Sequence, residues 1–112
     1  MTIKDREYYN YEGVDMGADF SSATIDMIRF KGYFVQVVTT GSPVGTFYMY
    51  SSNDPTLATA TNWKTIPYST MVVNGADVHM YNQDGLYCRY VKLGYTRTSG
   101  SGTCSIRIQL KD

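Results

Sequence analysis

Apolar and polar side chains alternate with period two through most of the sequence beyond residue 31. In "GYFVQVVTT" (residues 32–40) Tyr33, Val35 and Val37 fall on one face, and Phe34, Gln36 and Val38 on the other. "TFYMYSS" (46–52) repeats the pattern, with Phe47 and Met49 set against Tyr48 and Tyr50. Near the end Val91, Leu93 and Tyr95 share one face of a segment. Cys104, Ile106, Ile108 and Leu110 share one face of the next, opposite Ser105, Arg107 and Gln109. A repeat of two puts successive side chains on opposite sides of a strand, so these runs read as half-buried strands. No segment keeps helical spacing for the roughly 10–12 residues a helix needs. The nearest is "FSSATIDMIRF" (20–30), where Ser21 or Ser22 would cap a short turn, but Thr24, Ile25 and Ile28 favour strand.

Turn signals separate the runs. "GSPVG" (41–45) places Pro43 between two glycines. "STMVVNGADVHMY" (69–81) has Asn74-Gly75 between two apolar runs, the strongest short hairpin signal. A two-residue turn there gathers Met71, Val73, Ala76, Val78 and Met80 on one face, with Thr70, Val72, Asp77 and His79 on the other. Residues 98–103 are only Thr, Ser and Gly. They read as the tip of a last hairpin, with Gly100 and Gly102 at positive φ. Short strands between regular turns in a chain of 112 residues give one all-β domain. The expected fold is an antiparallel β-sandwich, jelly-roll-like, of about seven to eight short strands. Its expected core is Val35, Val37, Phe47, Met49, Trp63, Val91, Leu93, Ile106 and Ile108. Residues 1–19 are charged, tyrosine-rich and without a period. They read as an extended N-terminal arm ordered against a neighbour, leaving 20–112 as the sandwich domain.

Several chemistries lack their residues. Ten basic side chains balance ten acidic ones, so no net field draws nucleic acid or an anionic membrane. No apolar run approaches the roughly 20 residues that span a bilayer. The start, "MTIKDREYYNYEG", is charged and aromatic without the apolar centre of a secretory signal, so the expected folding compartment is a cytoplasm. The Ser/Gly loop leads into a strand and carries no lysine after its glycines, so it is no phosphate cradle. On a hairpin, Cys88 and Cys104 lie roughly 25 Å apart along the strands, far beyond disulfide reach. Two free thiols fit a reducing compartment. His79, the single histidine, has neither a nucleophile beside it nor a second histidine for zinc. Asp15, Asp19, Asp26, Asp54, Asp77 and Asp84 leave a carboxylate pair for glycoside hydrolysis open, but nothing in the sequence pairs them. "NDP" (53–55) reads as a turn in which Asp54 accepts local N–H groups. Tyr87, Arg89, Tyr90, Lys92, Tyr95 and Arg97 resemble a base-stacking platform but divide between two faces of a strand. No catalytic, cofactor-binding or metal-binding residue emerges. What stands out is eleven tyrosines against one tryptophan and four phenylalanines, a composition suited to contact surfaces.

Three stretches, "GSPVGTFYMYSSNDP", "NWKTI" and "YCRYVKLGYTRTSGSGT", resemble in their order small virion structural proteins of tailed phages. The resemblance spans residues 32–110. Cys88 stands just before its "RYVKL" core, and Gly94 falls where the pattern usually has an apolar residue. It implies a β-rich, non-enzymatic head-decoration, head-fibre or tail-associated module, assembled in a host cytoplasm. The implied partners are further copies of the chain and other virion proteins of the capsid or tail. Capsid decoration is the first reading, with Tyr8, Tyr9, Tyr11, Tyr48 and Tyr50 as the contact residues. Deleting residues 2–18 is then expected to leave the domain folded and abolish assembly. The alternative is a carbohydrate- or receptor-binding module in which Tyr48, Tyr50 and Trp63 stack on sugar rings.

Overall fold

The computed structural model describes residues 6–54, 62–86 and 88–111, with side chains from residue 9 onward. Among these, ten strands and no helix occur: β1 (Arg6–Asp15), β2 (Phe20–Ser21), β3 (Ile25–Asp26), β4 (Gly32–Gly41), β5 (Val44–Ser52), β6 (Lys64–Thr65), β7 (Met71–Asn74), β8 (Val78–Gln83), β9 (Tyr90–Ser99) and β10 (Gly102–Lys111). The first sheet runs β1-β10-β4-β8. The second runs β2-β9-β5-β6, with β3 also on β9 and β7 also on β5. All pairings are antiparallel. β2 and β3 share one position in the second sheet, and β6 and β7 another, so ten segments fill eight positions. Eight positions in two facing sheets are the strand count of a jelly roll. The extra segments are two-residue strands, too short to show a period in the sequence. In 20–30 the β-branched residues prevail over Ser21 and Ser22, giving β2 and β3 in place of a helical turn.

The expected hairpins are not hairpins. β9 pairs with β5, and β10 with β4; β7 pairs with β5, and β8 with β4. Each of these turns carries the chain from one sheet to the other, as does the turn between β4 and β5. A tight reversal asks for the same residues whether the strands it joins share a sheet or face each other, so the turn signal leaves the pairing open. Gly75 does take a positive φ of 88° and Gly100 one of 72°. Gly102 does not; a side chain there would overlap the Thr40 carbonyl, which is why it is glycine. Crossing between sheets also breaks the phase across Asn74-Gly75. Met71 and Val73 are buried, while Val78 and Met80 are 52% and 58% exposed. Facing inward from β8 are His79 and Tyr81, paired with Val37 and Val35. Thr39 fastens this crossing: its hydroxyl donates to Gly75 O (2.8 Å) and accepts from Asp77 N–H (3.0 Å). The neighbouring crossing is tied by Ser42 N–H to Ser101 O at 2.9 Å.

The core lies between the sheets. Val35, Val37, Phe47, Met49, Val91, Leu93, Ile106 and Ile108 are all fully or almost fully buried, as their alternation requires. Met16, Ile25, Met27 and Tyr33 join them. Trp63 does not; it stands half-buried outside the core. Residues 6–15, read as part of an arm, are extended and lie along β10 as the edge strand of the first sheet. Tyr9 pairs with Ile108 and Tyr11 with Ile106, so both rings point inward and pack on the core. The register slips between Tyr11 and Val14, with Gly13 at a φ of 60°. On the outer side Glu12 accepts from Ser105 (2.8 Å) and pairs with Arg107. These contacts, the Ser105 hydroxyl first, hold its carboxyl below the ordinary carboxylate range.

Candidate functional site

The outer face of the second sheet carries an aromatic platform. Tyr48 and Tyr50 alternate outward along β5, because Phe47 and Met49 take the inward positions. Their ring centroids are 6.3 Å apart at 49°. Across the ladder Tyr48 faces Gly94 and Tyr50 faces Lys92. A methyl group on Gly94 would come within 2.6 Å of Tyr50 Cε2, so the Tyr50 ring occupies the room that the missing side chain leaves. This is a physical reason for glycine where the resembling pattern has an apolar residue. The Lys92 ammonium sits 4.5 Å from the Trp63 ring centroid and 5.8 Å from that of Tyr50. A cation within about 6 Å of an aromatic face is attracted by the ring quadrupole. Lys92 therefore links Tyr50 to Trp63, and the three rings form one half-buried surface with a positive charge within it. Tyr48 and Tyr50 stand on the face that the period-two pattern gives them. The contributions of Lys92 and Gly94 depend on the β5–β9 register; the sequence marks Gly94 by its break in the apolar pattern and Lys92 only as one basic residue of an aromatic-rich run.

The other expected contact residues lie elsewhere. Tyr9 and Tyr11 face inward from β1, on the opposite sheet. Tyr8 pairs by its backbone with Gln109, and its side chain lies outside the described ones. Among the described residues nothing joins Tyr9 and Tyr11 to Tyr48 and Tyr50 in one surface.

The remaining candidates are dispersed. His79 faces inward, apart from Asp77, and its Nε2 is buried without a hydrogen bond among the described residues. Cys88 and Cys104 are free thiols. Cys104 pairs with Thr39 near one end of β4, while Cys88 lines a cavity near the other, so their separation does not depend on a hairpin. Burial pushes both thiols up to about 11, which keeps them protonated and unreactive at neutral pH. Asp54 accepts from the Asn62 backbone N–H (2.9 Å) and side-chain amide (3.0 Å), a tie across eight positions of sequence. Pro55 of the expected turn lies outside the described residues. Asp84 binds Lys111 at 2.7 Å. Tyr90 and Tyr95 are buried, Lys92 faces outward and Tyr87 lies outside the described residues, so the basic-aromatic strand does not present one stacking face.

Neither a family model nor a curated protein sequence matches the chain. Solved structures do match. PirA aligns with a TM-score of 0.58 and 16% identity, over 95% of this chain and 94% of that one. The SPBc2 prophage-derived protein YomS aligns with a TM-score of 0.59 and 12% identity, over 97% and 96%. A structure described as "CBM4 structure and function" aligns with a TM-score of 0.52 and 13% identity, over 83% of this chain and 61% of that one. At these identities the shared property is the two-sheet fold.

Proposed function

We propose that the chain is a non-enzymatic structural protein of a phage particle, a capsid decoration or accessory protein that works by contact. The observation that carries this reading is the Tyr48–Tyr50–Trp63 platform around Lys92: half-buried rings on the outer face of a sheet, fixed by the strands beneath them. Interfaces use aromatic residues in this way, because they bury much area at little entropic cost. The fold likeness to a prophage-derived protein over nearly the full length of both chains supports the same reading, as do the sequence stretches that resemble virion proteins.

A second reading has its own observation. Trp63 lies beside Tyr50 on the surface and not in the core, which suits rings that stack on a sugar, and one neighbour is described as a CBM4. Trp63 is the single tryptophan, so its fluorescence reports on the platform alone among indoles. If copies meet there, emission shifts to the blue as concentration rises from about 1 to about 100 μM. Tyr48→Ser/Tyr50→Ser then removes the shift. Quenching by soluble oligosaccharides at a concentration where the protein is monomeric would replace the first reading with the second.

A further inference from the structure

At the end of the sandwich away from Gly100 lies a cavity of about 400 Å³. The connection from β3 to β4, the end of β5 and the approach to β9 converge on it. Its apolar wall is Met27, Ile28, Phe30 and Cys88, and its polar rim is Arg29, Lys31, Asn53 and Arg89. The turn that builds the wall is closed by Phe30 N–H to Met27 O (3.0 Å), and Asn53 Oδ1 fixes the backbone N–H of Arg89 (2.8 Å).

Three cations thus surround one basin, and only one of them, Arg89, has an ion pair among the described residues. Arg29 and Lys31 have no ion pair among the described residues; the Arg29 guanidinium rests 6.0 Å from the Phe30 ring centroid. Arg89 stacks over Tyr90 at 5.1 Å and forms an ion pair with Asp26, Nε to Oδ1 3.7 Å, a separation too long for a hydrogen bond. Its Nε is buried with no hydrogen-bond partner among the described residues. A buried donor left unpaired costs free energy that a bound acceptor recovers. Guanidinium groups match planar, two-oxygen acceptors best. A phosphate dianion sheds its hydration reluctantly against an apolar wall, whereas a carboxylate on a hydrocarbon body fills both halves of the basin.

We propose that this cavity binds a carboxylate attached to an apolar body, with Arg89, Arg29 and Lys31 around the acid group and Met27, Ile28 and Phe30 against the hydrocarbon. The ligand is either a free organic acid or the C-terminal carboxylate of another protein chain ending in an apolar residue. The site is independent of the aromatic platform and of the role assigned to it.

Amide NMR titration of the whole chain tests this with 3-phenylpropanoate, its neutral amide, inorganic phosphate, and the peptide Ala-Ala-Phe with a free or an amidated C-terminus. The acid is expected to shift residues 27–31, Asn53 and Arg89, and to bind at least about tenfold more tightly than its amide, as a charge-assisted bond requires. The exposed double variant Arg29→Met/Lys31→Met and the separate Arg89→Met are each expected to weaken the acid by at least about tenfold while leaving distant resonances in place. Binding of the free-carboxylate peptide assigns a chain terminus as the source; binding of the acid without the peptide assigns a small acid. Equal binding of acid and amide, tighter binding of phosphate, shifts at another surface, or unchanged affinity in the double variant would overturn the proposal.

Discussion

Lys92 is held between two rings, and its attraction to each is worth about 0.5–1 kcal/mol at an exposed site. That energy orients the platform more than it stabilises the fold. Trp63 is accordingly a surface residue in energetic terms. Trp63→Ala is expected to lower unfolding stability by less than about 2 kcal/mol, whereas Phe47→Ala, at full burial, is expected to cost about 3–5 kcal/mol. Urea unfolding of the two variants measures the difference, and equal losses would return Trp63 to the core. Composition could not make this distinction. Tryptophan is apolar enough to be expected inside, and only the register of β5 on β9 shows that Lys92 reaches it from outside.

At the scale of elements, β1 and β8 behave unlike their sequence readings for related reasons. A strand's own alternation tells which residues share a face; it does not tell which neighbour the strand pairs with. Val35, Phe47, Leu93 and Ile106 were therefore legible as core, because each lies on a long strand buried on one side only. The phase of β8 relative to β7 was not legible, because Asn74-Gly75 reverses the chain equally well within a sheet or between sheets. Met80 faces out, so Met80→Ser is expected to change stability by no more than about 0.5 kcal/mol, where a core position would lose about 2–5 kcal/mol. Thermal melts of that variant check the wiring directly. β1 offered the opposite difficulty: its tyrosines hide the alternation, since the inward positions are themselves taken by tyrosines, Tyr9 and Tyr11. Removing residues 2–18 strips β10 of one of its two ladder partners and takes Tyr9 and Tyr11 from beside Ile108 and Ile106. The truncated chain is therefore expected to unfold or aggregate, observable as lost thermal cooperativity. A truncated chain that folds normally and only fails to assemble would instead support a detachable arm.

The whole molecule is a thin sandwich with several tyrosines in or against its core, and this sets its response to alkali. Burial raises the Cys88 and Cys104 thiols to about 11 and also raises the Tyr33, Tyr81 and Tyr95 hydroxyls. The folded state thus keeps protons that the unfolded chain releases from about pH 8.5 for thiols and about pH 10 for tyrosines. Stability from these groups is complete below those values and is lost as pH rises through the folded ones. The melting temperature is expected to hold steady up to about pH 8.5, fall above it, and fall more steeply above about pH 10. Calorimetry across that range, with Cys104→Ala flattening the first part of the decline, checks it.

In the proposed role the sandwich acts through its outward aromatic face, copy against copy or copy against particle. Light scattering on the whole chain measures that most directly. The expected result is a mass at a whole-number multiple of 12.6 kDa that returns to the single-chain value in Tyr48→Ser/Tyr50→Ser. A single-chain mass at every concentration up to about 100 μM, unchanged by that substitution, would contradict the proposal that copies meet at this platform.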